Sequence, residues 1–466
     1  MKLSGISRIR SRPTEISYAA LLICLSTVGL PALIGQRPAP DSPKVALTEK
    51  PEALYSSDPN DSWNRVFYFL FSRRLEIRLS ADFPEAGPFV DKVSTRSFER
   101  VEIGDRAIDP MYPGELASTG ERVVLSDTAY PEFAKALQEA LSESVPRSTV
   151  ARALMQNDLW GAYDILFYKL VPPWEAELGQ RRLVVLDLIA RLIKKIALTP
   201  EEIKALPNNY SAAVRNSSFP DVFQKGSGWI EVQWFAGREH DSSARFRRVS
   251  RVFLKPEHPP RDMQKFLNAQ PGRDDDSFGR AANPVADLDG VALVTQLLLI
   301  DPDGNLHPTT LTSEAQVRHF EKTETGMFKR TSMQVCEISR KLFVSAPETG
   351  GLVSEDENSR AYLGGYTFAE AGAEFPGANP GSNFSANTTI IKPPVQLKLR
   401  TRCARCHLDD LAMIRTFAIG FPPHPPPVRQ LNTAENDAAR FDIAQKGKEG
   451  DFQALLAYFD RRASRH

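Results

Sequence analysis

Residues 292–300 read Ala-Leu-Val-Thr-Gln-Leu-Leu-Leu-Ile, a strongly apolar run that only Thr295 and Gln296 interrupt. The run is followed at once by residues 301–305, Asp-Pro-Asp-Gly-Asn, which are typical of a turn. A short apolar run that ends in a turn is typical of a buried strand. This stretch therefore predicts that the middle of the chain is built on a β-sheet.

Further strands are predicted on both sides of this run. Residues 229–235 alternate between apolar and polar side chains, as does part of 245–254, and a polar turn separates them. Such a pair predicts a β-hairpin. Residues 316–322 and 334–344 have the composition of further strands, so we expect an antiparallel sheet. The 301–305 turn faintly resembles a calcium loop, but the later ligands of such a loop are missing.

One face of the 245–254 strand is strongly basic, because it carries Arg245, Arg247, Arg248 and Arg251. Two interpretations stay open at this point. The favoured one is a strand face exposed to solvent, and the other is a docking patch for an acidic partner.

Before Pro220 the apolar residues follow a helical period instead. The third predicted helix, from Arg181 to about Leu198, shows this best, since its leucines and isoleucines form one broad apolar face. The predicted helices begin near Asp61–Ser62, at Asp127 or Thr128 as N-cap, at Ser148–Thr149, at Arg181, and at Thr199-Pro200. Residues 432–462 are predicted to be mostly helical as well.

A chemical motif lies at residues 401–407, Thr-Arg-Cys-Ala-Arg-Cys-His. Two cysteines three apart with a histidine directly after them form the C-x-x-C-H pattern of covalent c-type haem attachment. One helical turn would bring both thiols to the haem vinyl groups, and His407 would then offer its imidazole to the iron. A four-cysteine zinc site would need a second pair, and the other cysteines, Cys24 and Cys336, stand alone.

On this motif the chain resembles the c-type cytochromes. The resemblance implies one covalent haem c, with thioether bonds to Cys403 and Cys406 and with His407 as the proximal iron ligand. It covers about residues 400–463, where the stretch 455–459 resembles the aromatic closing helix of small cytochromes. The segment after the motif is short for a self-contained cytochrome, so we expect the upstream sheet to complete the haem pocket.

The distal iron ligand is harder to assign. His424 is the best candidate, because it lies in the proline-rich loop 421–427, which resembles the loops that carry distal methionines in this family. Met413 follows the motif too closely to reach the other face of the ring. The alternatives are an open or water-bound iron, or one of the side chains His307, His319 and Met333.

The N-terminus has the pattern of an export signal. Basic residues precede an uncharged apolar run at residues 18–35, and no clear cleavage site follows. The run would act as a membrane tether if it stays in place, and the body would then be periplasmic or otherwise extracytoplasmic. Cys336 lies in an alternating run and is predicted to be a small buried side chain in a strand.

These observations define an α+β protein with an N-terminal helical region, a central mainly antiparallel β region and a C-terminal α-helical c-type haem module. The proposed boundaries are 1–36 for the signal or anchor, 37–60 for a proline-rich linker, 61–210 for the helical domain, 211–346 for the β-rich domain, 347–396 for a Gly/Pro-rich loop or linker, and 397–466 for the haem module.

The leading function is an exported single-haem c-type cytochrome that transfers electrons to or from a redox partner protein. One alternative is a periplasmic haem oxidoreductase that uses the N-terminal region or an open iron. The other is a non-redox binding or scaffold protein with a Cys403–Cys406 disulfide. The chain carries 58 basic and 58 acidic residues, so its charge balance gives no reason to expect nucleic acid as a partner.

Overall fold

The computed structural model describes residues 45–46, 55–80, 98–107, 124–145, 148–168, 176–216, 219–233, 247–268, 288–322, 328–346, 349–355, 360–363, 395–398, 429–433 and 436–460. All of them fall within one compact unit, Pro43–His466. The predicted signal or anchor at residues 1–36 lies outside the described residues. Among the helices described, none is both long enough and apolar enough to cross a membrane.

The described helices follow the predicted order closely. They are α1 (Ser62–Phe71), α2 (Tyr130–Ser142), α3 (Thr149–Tyr168), α4 (Ala176–Lys195), α5 (Pro200–Lys204), α6 (Asn209–Asn216), α7 (Met263–Asn268), α8 (Arg340–Ser345), α9 (Asp437–Lys446) and α10 (Gly450–Asp460). The α1 start at Ser62 confirms the prediction, and the side chain of Asp61 accepts a hydrogen bond from the Trp63 amide there. The prediction of a helix from Arg181 was also close, although α4 begins at Ala176.

The helix starts were predicted with mixed success. Ser148 caps α3 by accepting a hydrogen bond from the Ala151 amide, as predicted. The predicted cap of α2 by Asp127 or Thr128 was wrong, since Ala129 occupies that position without a side-chain bond. A proline in the first turn of α2 removes one amide that would need a partner, and Asp127 pairs with Arg181 at 2.6 Å instead.

The strands form one large sheet and two small ones. The described strands are β1 (Val45–Ala46), β2 (Ser72–Ser80), β3 (Phe98–Ala107), β4 (Ile230–Gln233), β5 (Arg248–Pro256), β6 (Leu288–Ile300), β7 (Leu306–Lys322), β8 (Phe328–Ile338), β9 (Leu352–Glu355), β10 (Arg360–Leu363), β11 (Val395–Lys398) and β12 (Arg429–Gln430). The large sheet has the order β12-β4-β5-β6-β7-β8-β9, and every neighbouring pair in it is antiparallel.

The predicted hairpin is confirmed, because β4 pairs with β5 with Val232 opposite Val252. The apolar stretch 292–300 is the inner strand β6, paired on both sides. The last predicted strand is shorter than expected. It ends at Ile338, and the Ser339 hydroxyl accepts a hydrogen bond from the Leu342 amide to start α8.

Helices and sheet share their largest hydrophobic core. This core combines α1 to α5 with the end of β6 and with apolar side chains of α9 and α10. A second cluster packs around α7, and a third packs around α6 with Phe253 and Val317 from the sheet. The α+β class is therefore confirmed. The residues that follow the haem motif in sequence, in α9 and α10, pack on β5, β7, α3 and α4.

Candidate functional site

The residues that the sequence assigns to haem lie in one segment. Cys403, Cys406, His407 and His424 all fall within residues 399–428, which lie outside the described residues. The strands on both sides of this segment are described. β11 ends at Lys398 and pairs with β10, whereas β12 begins at Arg429 and extends the large sheet beside β4. The haem segment is therefore flanked by two strands of different sheets.

A surface depression of about 400 Å³ lies where the chain returns from this segment. Its described lining comes from β12, from α9 and from the turn between them: Gln430, Leu431, Asp437, Arg440 and Phe441. Arg440 pairs with Asp437 at 3.3 Å, and the Leu431 amide donates to the Glu231 carbonyl at 2.9 Å. An aromatic ring and a paired guanidinium thus border the end of the haem segment.

His307 takes part in the hydrogen bonding of the turn that follows β6. Its Nε2 lies 2.8 Å from Oδ2 of Asp301, which also accepts hydrogen bonds from Asn305. Burial raises the pKa of Asp301, but the hydrogen bonds from Asn305 and His307 outweigh it and hold that pKa below its ordinary value. The turn is confirmed, and its carboxylate is already satisfied by the protein, which disfavours the calcium interpretation.

His319 lies on β7 beside the Trp229 ring, with 6.4 Å between ring centroids. Burial and the nearby Lys255 ammonium lower the pKa of His319, which favours the neutral ring. Met333 is placed on β8 opposite Arg318. Among the residues that the structure describes, no group of three or more His, Cys, Asp or Glu side chains converges as a metal site.

The structure confirms the prediction that Cys336 is a small buried side chain in a strand. It lies in β8 opposite Ala315 and is only 3% exposed. Its thiol packs in the cluster around α6, as a small apolar side chain would.

The most unusual element of the described structure is α3, which is buried on nearly all sides yet carries several polar residues. Buried polar groups need partners, and α3 finds them in distant segments. The Gln156 amide donates to the Ile300 carbonyl at 2.8 Å and accepts from the Ile300 amide at 2.9 Å. This pair of bonds joins the middle of α3 to the end of β6.

Asp158 makes the second polar connection of α3. Arg340, at the start of α8, donates from Nε and Nη2 to the two carboxylate oxygens, each at 2.7 Å. The Tyr55 hydroxyl donates to the same carboxylate. Burial and the adjacent Asp158 charge raise the pKa of Tyr55 well above its ordinary value, so Tyr55 stays protonated as a donor.

The third connection is a group of four charged side chains that we call the charge quartet: Asp164, Arg247, Lys446 and Asp451. Oδ2 of Asp164 lies 3.3 Å from Arg247 Nε and 3.4 Å from Lys446 Nζ. Lys446 also forms an ion pair with Asp451. Each of the four side chains is at most 4% exposed. The quartet joins α3, the start of β5, α9 and α10 inside the protein.

Two further contacts define the surroundings of the quartet. The Lys446 ammonium lies over the Trp160 ring, 5.1 Å from its centroid. Arg247 lies against α3 at Gly161, where a Cβ atom would come within 2.6 Å of the guanidinium. Burial and the neighbouring Asp451 raise the pKa of Asp164 well above its ordinary value.

Both interpretations of the basic strand face were wrong for its described residues. Arg247, Arg248 and Arg251 are buried, so they form neither a solvated face nor a docking patch. Arg251 donates from Nε and Nη2 to Glu231 at 2.8 and 2.7 Å and stacks over the Phe223 ring. Acidic side chains from other elements neutralise Arg247 and Arg251, and alternation within one strand does not reveal such partners.

Sequence reasoning missed the charge quartet for a similar reason. Its members are separated by up to 287 positions of the chain, from Asp164 to Asp451. The available signal was Asp164 itself, an acidic residue among Tyr163, Leu166 and Phe167 on an apolar helix. Comparison of the chain with family models, curated proteins and solved structures gave no match.

Proposed function

We propose that this protein is an exported single-haem c-type cytochrome that transfers one electron at a time to or from a partner protein. The observation that carries the proposal is the motif Cys403-Ala404-Arg405-Cys406-His407. Two thiols and an imidazole at this spacing are the donor set of covalent haem c attachment. Cys403 and Cys406 would hold the haem through thioethers, and His407 would bind its iron.

The one cysteine in the described part of the chain, Cys336, has a structural role. Cys336 is buried in β8 and serves the packing of the sheet. Beyond the predicted signal, the chain then has two cysteines left for chemistry, and both belong to the motif. When bound, haem would supply a one-electron change at its iron. The chain would orient the iron through His407 and would exclude water by packing around the segment 399–428.

His424 is our candidate for the distal iron ligand. It lies in residues 421–427, Phe-Pro-Pro-His-Pro-Pro-Pro, where fixed proline geometry reduces the conformational freedom lost on ordering the loop. Of the alternative histidines, His307 is hydrogen-bonded to Asp301 on a turn. Two imidazole ligands would give a lower reduction potential than one imidazole and one thioether.

The compartment follows from the same chemistry. Haem is attached to such motifs outside the cytoplasm, and residues 18–35 have the pattern of a signal or tether. A periplasmic or other extracytoplasmic location, tethered to the membrane if the segment is not cleaved, would give the haem access to a redox partner protein.

The deciding experiment is a reduced-minus-oxidised pyridine haemochrome spectrum of protein exported together with a haem-maturation system, after acid-acetone extraction. We expect haem to remain with the protein and to show the shifted band of a thioether-linked ring. The double variant Cys403→Ala/Cys406→Ala should lose this haem, whereas the matched control Cys336→Ala should keep it. Colourless wild-type protein would contradict the proposal and would favour a Cys403–Cys406 disulfide.

The distal assignment has its own test. His424→Ala should convert a low-spin spectrum into a high-spin one, and His307→Ala should leave the spectrum as it is. An unchanged spectrum in His424→Ala would exclude His424 as the ligand. Carbon monoxide binding by the resting wild-type protein would point to an open iron and would favour the oxidoreductase alternative.

A further inference from the structure

Three members of the charge quartet place an amine and two carboxyl groups in mutual contact. Lys446 Nζ forms an ion pair with Asp451 and lies 3.4 Å from Oδ2 of Asp164. The three side chains are between 0 and 4% exposed. An amine is therefore held against a carboxyl group in the interior, with a second carboxyl group beside both.

Burial favours the neutral forms of these groups. An ion loses its hydration when it is buried, and a proton that passes from ammonium to carboxylate removes two buried charges at once. The products of that transfer, a free amine and a carboxylic acid, are the two reactants of amide formation. Exclusion of water also protects an amide formed there against hydrolysis.

Asp164 has the properties of a proton carrier for this reaction. Its Oδ2 faces Lys446 and Arg247, and its carboxyl group also interacts with that of Asp451. A carboxyl oxygen in this setting is where a proton would be held. The raised pKa of Asp164, due to burial and to Asp451, favours the uptake of a proton by this carboxylate.

We propose that Lys446 and Asp451 condense into an intramolecular isopeptide bond, with Asp164 as the acid and base that moves the protons. The Nζ lone pair attacks Cγ of the protonated Asp451 carboxyl, and a C–N bond forms. Asp164 takes one proton from the nitrogen and passes it to the departing hydroxyl, so that a C–O bond breaks, one water leaves and Asp164 is a carboxylate again. The step needs no oxidant, reductant or other reactant.

The charges that remain after condensation are balanced. The reaction removes one cation and one anion, and it leaves Asp164 paired with Arg247 at 3.3 Å. The Trp160 ring continues to cover the former ammonium position. The bond would join the end of α9 covalently to the first turn of α10. It would therefore restrict the conformation of the turn between the last two described helices.

The test is peptide mapping of the full-length protein by mass spectrometry. We expect the tryptic peptides 441–448 and 449–461 to be joined, at one water less than the sum of their masses, with no cleavage after Lys446. Fragmentation should show the two side chains joined. Separate peptides, with cleavage after Lys446 in folded wild-type protein, would overturn the proposal and leave an ion pair only.

Two variants distinguish a loss of the condensation reaction from a loss of folding. Asp164→Asn keeps the size of the side chain but cannot carry the proton, so we expect the uncondensed mass and restored cleavage. Asp451→Asn offers a carboxamide to the same amine, so the same product should form with loss of ammonia instead of water. Circular dichroism would confirm that each variant is folded. A cross-link that persists in folded Asp164→Asn would exclude Asp164 as the proton carrier.

Discussion

Arg251 illustrates at the residue scale how this protein tolerates charge in its interior. The guanidinium makes two parallel hydrogen bonds to Glu231, which lies on the adjacent strand, and it stacks over the Phe223 ring at 4.7 Å. Neither side chain of the pair is more than 7% exposed. The arrangement depends on the planar fork of arginine, which lysine cannot reproduce.

We predict that Arg251→Met destabilises the protein by about 3–5 kcal/mol, because it leaves Glu231 buried without its cation. Removing both charges in Arg251→Met/Glu231→Leu should recover most of that loss, since no ion then remains buried. Urea unfolding of the wild type, both single variants and the double variant measures the coupling. If the losses of unfolding free energy in the two single variants simply added up in the double variant, this account of the pair would be contradicted.

Single residues also show where prediction from the sequence succeeds and fails. The burial of Cys336 follows from local alternation, which is written into its neighbours. The burial of Arg247 and Arg251 does not, because their acidic partners Asp164 and Glu231 come from other elements. A basic strand face has the same sequence pattern whether water or buried carboxylates neutralise it.

At the scale of elements, the start of α5 is determined by residues that lie close together in the chain. Thr199 accepts a hydrogen bond from the Glu202 amide, and the Glu202 side chain accepts one from the Thr199 amide. This reciprocal pair is a capping box, and its residues are adjacent enough in the chain to predict the start of the helix. Glu202 also pairs with Arg152 at 2.6 Å, which joins α5 to α3.

The capping box should make stability depend on pH. Burial raises the pKa of Glu202, but the Thr199 amide and Arg152 outweigh it and hold that pKa below its ordinary value. A lowered folded-state pKa stabilises the protein above the unfolded pKa of about 4.3, and the contribution disappears as the pH falls through the folded pKa. Glu202→Gln should therefore be less stable than wild type near neutral pH, with a difference that shrinks on acidification.

Urea unfolding of Glu202→Gln and wild type at neutral and acidic pH measures this difference. The matched control is Glu201→Gln on the same turn, where the side chain is exposed and the stability should change little at either pH. Thr199→Ala removes the other half of the box and should cost about 1 kcal/mol. A Glu202→Gln deficit that stays constant across the pH range would refute the electrostatic explanation.

Other elements were predictable only in part. The helical period predicts α4 and the alternation predicts β4 and β5, because both patterns are local in the chain. The end of β8 was missed, since α8 follows it after one residue and its start depends on the Ser339 hydroxyl. The polar content of α3 gives no hint of its burial, because Gln156 and Asp158 are satisfied by residues 144 and 182 positions away.

At the scale of the whole molecule, the sequence predicts the class of the fold and the motif, but it does not predict how the two are joined. The order of a helical region followed by strands follows the change of period along the chain. In the described structure, α9 and α10 contribute apolar side chains to the core shared by α1 to α5 and the end of β6. Packing between segments hundreds of residues apart leaves no periodic trace in the sequence.

This shared core leads to a prediction about cooperativity. Phe452 of α10 is 3% exposed and packs on Trp160 of α3, with 5.8 Å between ring centroids. Phe452→Ala should therefore cost about 3–5 kcal/mol and should lower the unfolding midpoint of the whole protein. Far-UV circular dichroism and tryptophan fluorescence should report the same single transition, as expected when all elements unfold together.

Ala457→Ser, at an exposed position of the same helix, is the control and should leave the midpoint nearly unchanged. If Phe452→Ala instead produced two separate transitions, with the larger one at the wild-type midpoint, the C-terminal helices would be an independent module. The shared core would then not couple the C-terminal helices to the rest of the chain.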